Sequence, residues 1–145
     1  MKAFLRKQST GFFFSIATIA IALTALLIYI QNGNNAYYND YNPEIFILTI
    51  IAIAVEVIFI ILVQTIGEKR WLDIVYVISP ILLGVSAIAF ISIRVKSAGI
   101  ILGSELEKGN VAANQALTQA FIGIGLYLFA MIISATKSFF SQLKQ

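Results

Sequence analysis

Residues 45–64 read IFILTIIAIAVEVIFIILVQ, and this stretch decides the fold. Glu56 is its only charged residue. Twenty helical residues rising 1.5 Å each cover about 30 Å, the thickness of a bilayer's hydrocarbon core. An apolar run of that length is a membrane span. Working outward, Gly11–Ile30, Leu72–Ile93 and Ala112–Ala135 have the same length and character. The chain therefore reads as one all-α domain, an integral membrane four-helix bundle with spans over about 11–30, 45–65, 72–93 and 112–135.

Composition agrees with this reading. Hydrophobic residues are 59% of the chain, charged residues 12%, and mean hydropathy is +0.90, far from the balance of a soluble domain. The net charge of +3 comes from cations at span ends, where topology explains them, so no nucleic-acid partner is expected. The sequence has no Cys and no His. That removes thiol chemistry, Ser-His-Asp catalysis, His-ligated haem and the usual zinc sites. No phosphate-cradling glycine loop or paired catalytic carboxylates occur, so no catalytic residue, cofactor or metal is expected. Lys2, Arg6 and Lys7 precede an apolar run longer than a signal-peptide core and without a small-x-small cleavage pattern, which reads as a retained first span.

Cations bias cytoplasmic loops. Lys2, Arg6, Lys7, Lys69, Arg70, Lys137 and Lys144 lie on the side of the termini, and Arg94, Lys96 and Lys108 on the other. Both termini are expected in the cytoplasm, with the chain a multi-pass protein of a bacterial cytoplasmic membrane. Gln31–Pro43 reads as an irregular loop whose tyrosines form an interfacial belt, with Tyr29 and Trp71 as further interfacial anchors. The third helix is expected to project beyond Arg94, Asn110 to cap the fourth, and the tail Lys137–Leu143 to lie along the membrane surface as an interfacial extension.

Three groups of residues could carry function. Glu56 lies near the middle of its span, where an ionisable side chain costs roughly 2.5–3.5 kcal/mol to insert and so faces protein or water. Its helical neighbours Thr49, Ala52, Phe59 and Val63 form a smaller, more polar stripe than the opposite face. Ser79, Ser86 and Tyr127, at similar depth, are candidate donors to a neutral, hydrogen-bonded Glu56 without a basic partner. The structural alternative is a neutral carboxyl that joins helices or binds a partner chain. The second group is Ala116, Gln119, Ala120 and Gly123, a small-residue stripe with an amide alongside, which suits either packing inside the bundle or docking onto another membrane subunit. The third is an outer-face patch of Tyr37, Tyr38, Tyr41, Arg94, Glu105 and Glu107, against the alternative that Arg94 is a snorkelling anchor. Pro80 and Gly84 mark a kink or close contact, with Ser79 to satisfy the freed backbone.

Thr10–Ser15, Arg70–Asp73, Ile101–Asn110 and Gln119–Gly123 resemble small four-span membrane proteins of Gram-positive bacteria that have no assigned activity. The resemblance implies a carbohydrate-uptake context. The resulting expectation is a non-enzymatic accessory or scaffolding subunit of a bacterial membrane complex, bound to a larger multispan protein of a carbohydrate import system. The alternative is a small self-associating transporter or channel, a homo-oligomer coupled to protons or cations through Glu56.

Overall fold

The computed structural model describes residues 8–105, 107 and 109–143. The cations Lys2, Arg6, Lys7, Lys108 and Lys144 counted for orientation lie outside the described residues. Among the described residues there are four α-helices: α1 (Thr10–Gly33), α2 (Pro43–Ile66), α3 (Val75–Gly103) and α4 (Val111–Thr136). All four are long and apolar enough to cross a membrane. Helices are the economical choice here, because every backbone N–H and C=O in lipid must find its partner within the chain.

Local chemistry sets the helix ends. Asn42 accepts from the Glu44 amide at 2.8 Å with Pro43 at the first helical position, and Asn110 accepts from the Ala113 amide at 3.2 Å. Gly67 ends α2 at φ 76°, a left-handed conformation that suits glycine. Short 3-10 turns at Arg70–Ile74 and Lys137–Phe139 lead into α3 and out of α4. The expected extension of α3 beyond Arg94 is present, as far as Gly103.

Each helix packs on its neighbour in sequence, and α4 closes onto α1, giving an up-down-up-down ring. Buried positions recur at alternating spacings of three and four residues. On α2 they are Ile45, Thr49, Ala52, Glu56, Phe59 and Val63, and on α4 Ala113, Ala116, Ala120, Gly123, Tyr127, Ala130 and Ser134. A seven-residue repeat of this kind keeps one face turned inward along a left-handed bundle. The polarity is inverted relative to a soluble bundle. Ser15, Thr18, Asn32, Thr49, Glu56, Ser79, Ser86, Arg94, Ser134 and Lys137 are buried, while Ile47, Ile58, Ile88, Phe121 and Phe129 are exposed. A polar interior wrapped in apolar surface suits a lipid solvent.

The first and last described residues meet at one end of the bundle, the terminal end. There the Ser9 and Gly11 amides donate to the Gln142 and Ser141 carbonyls at 3.0 and 3.1 Å, and the Glu68 carboxylate accepts from the Gln142 and Leu143 amides. The tail's backbone pairs with the start of α1, with Lys137 and Gln142 buried and Phe139 and Phe140 exposed. Tyr29 is not the interfacial anchor expected of it. It is fully buried, with its hydroxyl bonded to the Asn42 backbone at 2.7 Å.

Candidate functional site

The polar interior is layered, and the spacing of three helices accounts for the layers. Thr49 and Glu56 on α2, Ser79 and Ser86 on α3, and Tyr127 and Ser134 on α4 are each seven residues apart. Seven residues rise about 10.5 Å and return to the same helix face. Since α3 runs antiparallel to its neighbours, Ser79 meets Glu56 and Ser134, while Ser86 meets Thr49.

The layer nearer the terminal end is charged. Glu56 Oε1 accepts from Ser79 Oγ at 2.5 Å and from Ser134 Oγ at 3.1 Å. Lys137 Nζ donates to both Glu56 oxygens, to Oε2 at 2.5 Å. The side chains of this pair are 0% and 1% exposed, and the Phe59 ring lies 5.1 Å from the ammonium. Side chains on a helix tilt toward its N-terminus. A lysine just past the end of α4 therefore points back into the bundle, not out toward water. Glu56 is thus an ion-pair partner and not the carboxyl lacking a basic neighbour that was expected. Ser79 points at Glu56, so it does not serve the backbone freed by Pro80.

The middle layer is neutral. Thr49 Oγ1 lies 2.7 Å from the Ile45 carbonyl and 2.9 Å from the Tyr127 hydroxyl. Its one proton goes to the nearer carbonyl acceptor, so Tyr127 donates to Thr49. Ser86, 3.3 Å from Thr49, donates to the Leu82 carbonyl at 3.0 Å. Ser86 and Tyr127 therefore do not reach Glu56. Buried Ala52, Leu83 and Ala130 belong to the apolar core that separates the two layers.

At the opposite, loop end, Arg94 is buried, and each of its three nitrogens donates a hydrogen bond. It makes a two-pronged ion pair with Asp40 at 2.6 and 2.8 Å, and its Nε donates to Asn32 at 2.8 Å. The guanidinium lies 3.8 Å over the Tyr38 ring. Asn32 in turn donates to the Ala116 carbonyl at 2.8 Å. The outer-face patch is consequently divided. Arg94 is part of the interior, Tyr38 is half-buried against it, Tyr41 is exposed, and Glu107 accepts from the Asn110 amide group at 2.7 Å. Burial raises the Tyr37 and Tyr38 phenols above 10.0, with the Glu107 charge adding to the effect at Tyr37 and Arg94 opposing it at Tyr38. Glu105 is an exposed residue of the same connection, with a partner of its own.

The small-residue stripe faces inward. Ala116, Ala120 and Gly123 are buried, and a Cβ on Gly123 would lie 2.9 Å from the Phe90 ring and 3.0 Å from Ile28. The docking use of this stripe is excluded within the folded chain, because α1 and α3 already occupy it. Gln119 lies half-buried beside it, bonded to Asn32 and Gln31.

Lys137, Ser134, Asp40 and Asn32 went unrecognised in the sequence. A signal for Lys137 exists: Ala116, Gly123, Ala130 and Lys137 are spaced by sevens, so the lysine continues the buried stripe. No family model, no curated protein and no solved structure matches the chain.

Proposed function

We propose that the protein is a non-enzymatic accessory or scaffolding subunit that docks through its lipid-facing surface onto a larger multispan protein of a bacterial membrane complex. The observation that carries this reading is that the charged side chains described in the interior are all paired within the chain. Glu56 is held by Lys137 and two serines, and Arg94 by Asp40 and Asn32. Groups committed in this way fix packing and register. That leaves the apolar exterior as the surface through which the bundle acts on a neighbour. The carbohydrate-import context rests on the family resemblance. Purification from native membranes in mild detergent should bring down a stoichiometric multispan protein. Recovery of the lone chain, under conditions that keep other membrane complexes intact, overturns the proposal.

A second reading is favoured by one feature, the Glu56–Lys137 pair in contact with two serine hydroxyls inside the bundle. Such a group could exchange a proton in a small transporter or channel. Proteoliposomes containing a pH-sensitive dye test it. The charge-neutral double variant Glu56→Gln/Lys137→Met should lose flux if this reading holds, and equal flux from wild type and variant rejects it.

A further inference from the structure

At the loop end, α1, the connection after it and the start of α4 enclose an open groove of about 920 Å³, lined among others by Ile28, Tyr37, Gln115, Thr118, Gln119 and Ile122. Its polar groups lie toward the outer end. Along α4 Asn114, Gln115, Thr118 and Gln119 are interleaved with Val111, Ala112 and Ala116 before the lining ends at Ile122, and the other wall runs from Asn35 and Tyr37 on the connection to Ile28 on α1. From Val111 to Ile122 the helix rises about 16 Å, roughly half the hydrocarbon thickness of a bilayer. The groove thus matches one leaflet, with hydrogen-bonding groups at the rim and an apolar lower end.

The rim's chemistry narrows the occupant. No residue described in the lining is charged. Among the described residues, the Glu107 charge acts on the lining residue Tyr37 and would repel a phosphate. Gln115 is exposed and has no hydrogen-bond partner among the described residues, so both its donors and its acceptor are open. Amides and hydroxyls that both give and accept suit hydroxyl groups, which do the same. The tyrosine ring adds an apolar face beside them.

We propose that this groove binds a lipid with an uncharged, hydroxyl-rich head group, of the glycosyl diacylglycerol class, with the sugar at Gln115 and Tyr37 and an acyl chain descending past Ile28 and Ile122. The site lies apart from the Glu56–Lys137 pair and does not rest on the docking proposal. The test is native mass spectrometry of the full chain released from phosphatidylcholine nanodiscs doped equally with glucosyl diacylglycerol, phosphatidylglycerol and diacylglycerol. The wild type should retain one glucosyl diacylglycerol in preference to the other two. Gln115→Leu should reduce that retention about fivefold for each hydrogen bond lost, and Ala112→Trp, at an exposed lining position, should abolish it. Thermal melts of both variants should match the wild type, which separates loss of the site from loss of the fold. Equal retention of phosphatidylglycerol by the wild type overturns the proposal, as does retention that survives Ala112→Trp. Displacement of the lipid by free glucose, at concentrations that leave phosphatidylcholine binding unchanged, would also overturn it, by showing a soluble-sugar site in place of a lipid one.

Discussion

The two ends of the bundle each bury a cation against a carboxylate, but they do so differently. Glu56 and Lys137 both belong to the bundle, on α2 and at the end of α4, and neither reaches solvent. Arg94 is equally buried, yet its partner Asp40 sits on the connecting loop with a side chain 37% exposed. The terminal-end pair fastens helix to helix, whereas the loop-end pair fastens a loop to the bundle. A dry pair is sensitive to losing one partner, because the remaining charge has no water to replace it. A half-solvated carboxylate leaves a path for water to take its place. The two ends should therefore differ in tolerance, although their contact distances are similar.

The largest effect should come from breaking the terminal-end pair on one side. Glu56→Gln strands the Lys137 ammonium and Lys137→Met strands the carboxylate, and each should destabilise the fold by about 3–5 kcal/mol. The double variant Glu56→Gln/Lys137→Met leaves no buried charge and should recover much of that loss. Equilibrium unfolding in mixed micelles, followed by far-ultraviolet circular dichroism, measures all three. Additive single effects, with no recovery in the double variant, would mean that the two groups are not energetically paired and would remove the basis of the comparison.

The comparison also assumes that the two ends are joined by a rigid seam, and Gly123 tests this. Leucine at that position has no room against Phe90 and Ile28, so Gly123→Leu should cost about 1–3 kcal/mol through overpacking. Gly125, two residues on, has nothing within 4 Å of an added Cβ and should accept leucine with almost no change in melting temperature. Next in size comes Asp40→Asn at the loop end. It keeps one hydrogen-bonding oxygen for the guanidinium, and the site is partly wet, so a loss of about 1–2 kcal/mol is expected by the same unfolding measurement. A loss as large as that of Glu56→Gln would abolish the proposed difference between the ends.

Much of this architecture was legible because in a membrane it follows from run length and period. The four spans, the inward stripe of Thr49, Ala52, Glu56, Phe59 and Val63, and the Asn110 cap all appear where the sequence placed them. The partners of the charges were harder to see. Lys137 looks like a cation at a span end, and only the seven-residue series from Ala116 shows that it continues a buried face. Asp40 lies in an irregular loop with no period to read, and its approach to Arg94 depends on how Asn34–Asn42 folds back over α1. Ser86 and Tyr127 were assigned to Glu56 by depth alone. One heptad, about 10.5 Å, separates their layer from that carboxylate.

That middle layer provides the finest test of the contrast between the ends, because it has the same enclosure as Glu56–Lys137 but no charge. Thr49 joins it, giving its proton to the Ile45 carbonyl and receiving that of Tyr127. Thr49→Val keeps the shape of the side chain and removes the acceptor for Tyr127. Hydrogen bonds between membrane helices average about 0.6 kcal/mol and reach about 1.7 at most, since the unfolded chain in lipid also finds partners. The expected loss is therefore about 0.6 kcal/mol, with a coupling of similar size in a double-mutant cycle with Tyr127→Phe. If burial alone set the cost, Thr49→Val would approach the loss seen for Glu56→Gln. If stranded charge sets it, Thr49→Val stays several-fold smaller even though both sites are equally dry. A measured loss above about 2 kcal/mol would place enclosure ahead of charge and reverse the ordering of the two ends.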